Sequence, residues 1–451
     1  MAGEVSMTKG SIARQMIVFA IPIFLGQLFQ QLYNTADSFI VGNFAGPQSL
    51  AAVASSESLI QLLVGFFNGM AMGASVVISQ SFGAKNLEKM SQAIHSTVLL
   101  GLVISFCLTI FGVAASPQIL RWMGTPDDVF SLSVAYLRIF FGGMSGLVMY
   151  NLFAGIMRAV GDSKTPLYFL IFTSILNCVL DTVFVAVFGW GVQGAATATV
   201  ICMMISAVLE AVVLMRCNGP HKVSLSKLKV YPGPLWEVIR FGFPTAMQNC
   251  IISVANVFVQ SNINAFGSSA MAGSGSYSKI EGFVFLPIMS FNMATSTFVG
   301  QNIGAREWER TRKGGRFGIL CAMGTAEVVG ILFFIFAPQL IGLFVSDPSV
   351  IAFGVTRART NALFYFLLAF SHAVSAVLRG AGKPAVPMFV MLVCWCAIRI
   401  TLLSLTAGWH NFAVLSYVYP ITWSLSSIYF FFYFRSGKWM PDWKQMETHN
   451  A

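Results

Sequence analysis

Long apolar runs alternate with short polar breaks along the whole chain. Twelve runs have the length that a membrane-spanning helix needs, about 20 residues. They are centred on 17–41, 51–77, 93–115, 132–156, 166–188, 193–215, 239–264, 271–295, 316–337, 355–378, 386–407 and 412–434. The breaks repeat. Arg158-Ala-Val-Gly161 with Pro166 returns 221 positions later as Arg379-Gly-Ala-Gly382 with Pro387. The same offset carries Ser75 to Ser296, Gly83-Ala84-Lys85-Asn86 to Gly304-Ala305-Arg306-Glu307, Pro117-Gln118 to Pro338-Gln339, Val129 to Val350 and Arg138 to Arg359. After a one-residue slip, Pro22 and Phe44 meet Pro244 and Phe266. A duplicated, very apolar polypeptide is the sequence mark of a secondary transporter, whose substrate site lies between two similar bundles.

Six helices per repeat is an even number, so both halves enter the membrane in the same orientation. The fold class expected is therefore an all-α polytopic membrane protein. Its twelve transmembrane helices form two six-helix bundles, related by a pseudo-two-fold axis along the membrane normal. Residues 1–216 make the N-terminal lobe and 237–451 the C-terminal lobe. Between them, 217–236 reads as a cytoplasmic linker from its Pro, Gly and Lys content. A central cleft is expected among the first, second, seventh and eighth helices.

Composition agrees. Of 451 residues, 56% are hydrophobic and only 10% charged, where a soluble domain carries about 25% charged residues. The first run is too long for a secretory signal, carries Gln27, Gln30, Asn34 and Asp37, and ends without a small-residue cleavage site.

A net charge of +10 would suggest nucleic acid, but its distribution points elsewhere. Lys and Arg fall in every second loop: Lys85 and Lys89; Arg158 and Lys164; Arg216, Lys222, Lys227 and Lys229; Arg306, Arg310, Arg312, Lys313 and Arg316; Arg379 and Lys383; Arg435, Lys438 and Lys444. The intervening loops carry almost none, Arg121 excepted. This is the positive-inside pattern, and it places both termini in the cytoplasm. The basic excess sets orientation, and contact with anionic membrane lipid is secondary.

The eight cysteines and five histidines show no metal-ligand spacing, and no clustered nucleophile and base argues for an enzyme. The glycines at 161 and 382 serve tight turns before Pro166 and Pro387, and neither loop has the context of a phosphate loop. With no ATPase module, transport must draw on an ion gradient.

Polar residues inside the apolar runs carry the chemistry. Gln27, Gln30, Asn34 and Asp37 recur at threes and fours in the first helix, as Asn249, Ser253, Asn256, Gln260 and Asn264 do in the seventh. Taken singly, such amides are interhelical glue. Two stripes in the same helix of each repeat suit a cavity lining. Glu57 and Gln61 share a face of the second helix and could rim that cavity. Carboxylates are costlier, at about 2.5–3.5 kcal/mol each at the centre of a spanning helix. Asp37 is one; Asp181 is another, four residues after Asn177 on the same face. The repeat puts Ile398 and Leu402 at the positions of Asn177 and Asp181, so this acidic set belongs to the first half alone. Packing needs would be met alike in both halves. The asymmetry points to a coupling-ion site, with a plain hydrogen bond from Asp181 to a neighbouring helix as the alternative. Two close carboxylates in low dielectric require a proton or a cation between them.

With these residues in view, the chain resembles the multidrug and toxic compound extrusion (MATE) family, of the bacterial type, over essentially its whole length. The motifs that carry the resemblance are the duplicated Gly-Ala-Lys/Arg breaks at 83–86 and 304–307, and Arg158-Ala-Val-Gly-Asp-Ser-Lys-Thr-Pro166 with its echo at 379–387. The resemblance implies a monomeric antiporter of the bacterial cytoplasmic membrane, coupled to Na+ or H+ and without a cofactor. It would export amphipathic organic cations by alternating access and confer multidrug resistance. It maps a first-lobe cation site onto Asp37, Asn177, Asp181 and Thr199, a metal site if the ion is Na+. Substrate is expected at Gln30, Asn34, Gln61, Asn256, Gln260 and Glu281.

One departure stands out. Many members carry a Glu in the seventh helix, where this chain has only amides and Ser. Its acid is Glu281 in the eighth, within Lys279-Ile-Glu-Gly-Phe-Val-Phe-Leu-Pro287. Glu281 is either a substrate contact or a structural partner of Lys279, Arg399 or a polar neighbour. Arg399 reads as a partner for a carboxylate or for helix-end carbonyls, and Glu327 and His372 as packing or pairing residues. A lipid or cell-wall precursor flippase of the same superfamily is the alternative function. Flippase cavities tend to be cationic, whereas the set here is acidic.

Overall fold

A computed structural model describes residues 5–409 and 411–440; Lys444 lies outside them. The described residues are helical with no strand. In chain order the α-helices are α1 (Ile12–Ile40), α2 (Gly46–Gly83), α3 (Leu87–Trp122), α4 (Asp127–Gly142), α5 (Met144–Ala159), α6 (Lys164–Asp181), α7 (Gly191–Arg216), α8 (Pro232–Asn264), α9 (Ser268–Gly304), α10 (Trp308–Gly342), α11 (Pro348–Ala362), α12 (Tyr365–Gly380), α13 (Ala385–Met391), α14 (Arg399–Thr406) and α15 (Phe412–Arg435). Three π-helical segments, Val41–Ala45, Thr182–Val187 and Leu392–Ile398, extend α1, extend α6 and join α13 to α14. Read as continuous rods, these make the twelve expected.

By length and hydropathy, 8 rods qualify as membrane spans, or 10 if each bent pair is one span. The remaining two are α8, with its run of amides, and α15, rich in Ser, Tyr and Trp. The single helices expected at 132–156 and 355–378 are instead bent, by 47° between α4 and α5 and by 56° between α11 and α12. The first bend falls at Gly143, whose missing Cβ leaves room for Val200. The second has no glycine. There the Glu327 carboxylate accepts the freed Phe366 N–H at 3.0 Å, so a side chain enters the helical ladder and stabilises the break. Glu327 is thus a structural cap.

The duplication extends to backbone detail. At both Gly-Ala breaks the fourth-back carbonyl holds the alanine amide, Ala84 to Gln80 at 2.9 Å and Ala305 to Gln301 at 3.0 Å. Lys85 and Arg306 then take φ of 56° and 61°, a left-handed conformation that few residues other than glycine adopt. Burial repeats too. The most apolar stretches of the spans ending at Gly83 and Gly304 are each 61% buried, while those of α3 and α10 are each 22% buried, and these two helices turn Phe106, Phe111, Leu332 and Ile335 outward as a lipid-facing side chain would be.

The chain forms two compact units. One holds Leu25–Gly242, the other Met7–Phe24 with the chain from Phe243 on. The first half of α1 therefore packs in the second unit. The reason is burial: Met7, Met16, Phe19, Ala20 and Ile23 cluster with Ala294 and Phe298. Arg310 fixes this segment, donating to the Met7 carbonyl at 3.1 Å, to the Gly10 carbonyl at 2.6 Å and to Gln15 Oε1 at 2.6 Å. In the first unit the linker is anchored on α3, where Ser224 N donates to His95 Nε2 at 2.9 Å and Tyr231 N to Ser96 Oγ at 3.0 Å. Lys89 pairs there with Glu237 at 2.8 Å.

Lipid tails are as apolar as leucine, so helix association here rests on close packing rather than on expulsion of water. Gly273 of α9 shows the tolerance. A Cβ at this position would lie 2.4 Å from the Val350 carbonyl oxygen and 2.9 Å from Gly354 N, both backbone atoms of α11. Gly273→Ala is expected to lower stability by about 1–3 kcal/mol, read as an earlier thermal transition of the detergent-solubilised protein. Gly324→Ala, where a Cβ meets nothing within 4 Å, is expected to leave the transition in place.

Candidate functional site

Three helices of the first unit bring the acidic set together. Asp37 stands on α1, four residues and one turn after Tyr33. Asn177 and Asp181 occupy one face of α6, buried to 2% and 0% exposure. Thr199, half-buried on α7, lies one turn before Cys202 on the same side of that helix. Asp37 and Asp181 meet: the two carboxyls are neighbours, and Tyr33 and Cys202 face the pair. Asn177 lies beside Cys202.

Both acids sit where the backbone departs from α-helix. Asp181 directly precedes the π-helical segment Thr182–Val187, and Asp37 lies four residues before Val41–Ala45. The two segments pack on each other through Val41, Val185 and Ala195. Single π turns of this kind widen a helix and recur at functional sites.

The electrostatics are unusual for a packed interior. Asp37 Oδ1, both Asp181 oxygens and both polar atoms of the Asn177 amide are buried and, among the described residues, have no hydrogen-bond partner. Ionised carboxylates only accept, so neither acid satisfies the other while both are charged. A proton shared by the pair, or a cation held by its oxygens, supplies what is missing. The donors are all hard oxygens, which fit an alkali or alkaline-earth ion far better than a soft metal.

The substrate candidates scatter by comparison. Gln30 is half-buried beside Tyr33, whereas Asn34, Gln61, Asn256 and Gln260 are exposed. Gln260 Nε2 donates to Asn264 Oδ1 at 2.9 Å, one turn along α8. The side chain of Glu57 lies outside the described residues. Glu281 has a defined partner: Tyr277 donates its hydroxyl to Glu281 Oε1 at 2.5 Å. Lys279 is not that partner; it is exposed and stacks over Phe344. Arg399 faces Glu281 and donates to Thr422 Oγ1 at 3.0 Å. His372 is packed against Phe285 and Trp395.

Three residues near this chemistry were not singled out by the sequence. Tyr33 and Cys202 join the acidic set only through folding, and no pattern marks them. Glu210 is different. It is fully buried on α7 near Arg158 and the Ala154 backbone. The rule that selects Asp181, an acid inside an apolar run, selects it as well.

The family model described as MatE matches the chain twice, over residues 22–183 and 244–405. The chain belongs to the MatE family. Its two matched segments are the two halves of the duplication. A probable multidrug resistance protein of Bacillus subtilis, YpnP, is 28% identical over 436 residues, covering 96% of this chain and 97% of its own. A probable multidrug resistance protein NorM of Thermotoga maritima is 26% identical over 448 residues, covering 95% and 93%. Among solved structures, a MOP superfamily transporter from Pyrococcus furiosus superposes with a TM-score of 0.90 at 24% identity, over 96% of this chain and 97% of that one. Its binding pocket is described as having reverse polarity, suggesting a different function for that protein. The fold is the two-lobe, twelve-helix MatE fold, and this member of the family is a multi-pass membrane transporter.

Replacing one orphaned acid by its amide tests the geometry without transport. At alkaline pH in sodium-free buffer, Asp181→Asn is expected to melt higher than the unmodified protein, because it removes one of two adjoining buried charges. A lower melting temperature would mean that Asp181 is held by a donor in a conventional hydrogen bond.

Proposed function

We propose that the protein is an antiporter that exports amphipathic organic cations, coupled to inward movement of Na+ or H+ through Asp37, Asn177, Asp181 and Thr199. The observation that carries this reading is the adjoining, orphaned carboxyls of Asp37 and Asp181, in an acidic set that the second repeat lacks. Packing alone gives no reason to keep two unpaired acids together inside a membrane. A coupling cation does. The names of the multidrug relatives support the class of cargo. So does an interior that offers negative charge among 41 Phe and 22 Met, since such walls accept cationic rings. The exposed amides Asn34, Gln61, Asn256 and Gln260, with the half-buried Gln30, are assigned to the cargo path. Glu281 serves there through its network rather than by free charge.

In this mechanism the cation enters from outside and neutralises the Asp37–Asp181 pair. Neutralisation removes the repulsion that holds α1 away from α6. Pro22 gives α1 a point at which its hydrogen-bond ladder is already broken. The rearranged helix releases cargo outward, and the protein returns with its cation aboard. A cation drives the cycle only through its different affinity for the two states. On this reading both termini lie in the cytoplasm, an orientation that the loop charges support, and the protein works as a monomer in the cytoplasmic membrane with its basic loops against anionic lipid.

Efflux of an ethidium-like dye in proteoliposomes, energised separately by a Na+ gradient and by a pH gradient, tests the proposal. Asp37→Asn and Asp181→Asn are expected to insert and fold but to lose gradient-driven efflux, at least tenfold in rate. Glu327→Gln keeps an acceptor for Phe366 N and is expected to be nearly silent. Wild-type efflux by Asp37→Asn would remove the coupling site. Translocation of a lipid-linked precursor without dye efflux would replace drug export by a flippase.

A further inference from the structure

Among its described residues the second unit buries three guanidinium groups, those of Arg357, Arg379 and Arg399, and two of them, Arg357 and Arg399, share one carboxylate, that of Glu281. Arg357 on α11 is 4% exposed, and Arg399 at the start of α14 is 1% exposed. Arginine does not give up its proton inside a protein, so both charges persist. Their hydrogen-bond partners are neutral hydroxyls: Ser274 Oγ and, at 3.2 Å, Tyr419 OH for Arg357, and Thr422 Oγ1 at 3.0 Å for Arg399. Glu281 faces both arginines but accepts from Tyr277, and among the described residues it makes no direct ion pair with either.

The remaining charges nearby are engaged elsewhere. Lys279 stacks over Phe344, Arg359 over Phe334, and the Glu327 carboxylate is taken up by Phe366 N. Arg379 donates to Gln248 Oε1 at 3.3 Å. Against the Glu281 carboxylate alone, the Arg357–Arg399 pair carries one positive charge in excess, in surroundings where an uncompensated ion costs more than neutral hydrogen bonds return. Both guanidiniums converge on one ring, at 5.2 Å for Arg357 and 4.5 Å for Arg399 from the Tyr419 centroid. The Nε of each is buried and has no hydrogen-bond partner among the described residues.

Two cationic N–H donors with no acceptor, beside aromatic walls from Trp395 and Tyr419, select an anion. The charge deficit is one, so the anion is monovalent, and the burial calls for a small one. We propose that this unit holds a small-anion site of the halide class, with chloride its ordinary occupant, built on Arg357 and Arg399 beside Tyr419. The site is independent of the acidic set on α1 and α6 and of the ion coupled there.

The test uses the full-length protein in detergent, with its melting temperature followed as sodium chloride replaces sodium gluconate at constant ionic strength. Sodium stays fixed, so any response belongs to the anion. A saturable rise of a few degrees is expected from mass action, with bromide able to substitute. Arg357→Gln and Arg399→Gln are each expected to abolish the rise, while the exposed Arg121→Gln keeps it. No difference between chloride and gluconate in the unmodified protein would overturn the proposal, as would a rise that survives in both arginine variants. Should those variants not fold, Glu281→Gln decides. It removes the one carboxylate that faces the pair among the described residues, so the chloride midpoint should fall several-fold; an unchanged or higher midpoint would overturn the site.

Discussion

An ionisable or polar group inside a bilayer has no water to fall back on, and every such group in this protein needs a partner from the protein itself. That constraint organises much of the fold. It explains why Glu327 sits where α11 breaks from α12: the break frees a backbone N–H, and the acid takes it. It explains the ring of hydroxyls around Arg357 and Arg399. It also makes the exceptions informative, because a buried group left without a partner is costly enough to need a reason.

The two lobes meet the constraint in opposite ways. The second surrounds its charges with tyrosines, serine and threonine, and links them through Tyr277, Tyr365 and Asn361 by hydrogen bonds of 2.8 and 3.0 Å. The first places two acids against each other and, among the described residues, leaves three of their four oxygens unpaired beside an equally unpaired amide. A duplicated gene starts with the same solution in both halves. Chemistry confined to one half therefore separates what was kept for packing from what was added for work. This argument is why we propose the acidic set for energy coupling and the arginine cluster for a small anion.

The helix irregularities are largely shared between the repeats. The bends at Gly143 and at Leu363–Phe364 occupy corresponding rods of the two repeats, so they belong to the shared scaffold, though one uses a glycine and the other an inserted carboxylate. Of the three π-helical segments, two follow Asp37 and Asp181, while the third, Leu392–Ile398, lies in the second repeat's counterpart of the α6 rod and ends just before Arg399. A π turn frees and redirects backbone groups, and next to a buried acid this brings a second polar surface within reach.

The sequence by itself determined the rods, their number, the duplication and the loops, because each follows from local hydropathy and from a repeat offset that needs no knowledge of contacts. It also singled out Asp37, Asn177 and Asp181, since a charge in an apolar run is anomalous wherever the run ends up. It did not reveal the bend at 363–364, because the cause is Glu327, 39 residues away by sequence. Nor did it assign the first half of α1 to the second unit, a matter of where Met16 and Phe19 find a surface to cover. Tyr33 and Cys202 entered the acidic set, and Arg357 met Arg399 at Tyr419, only through tertiary packing. Hydropathy records what a segment avoids, while the partner that a buried polar group finds depends on which helices fold beside it.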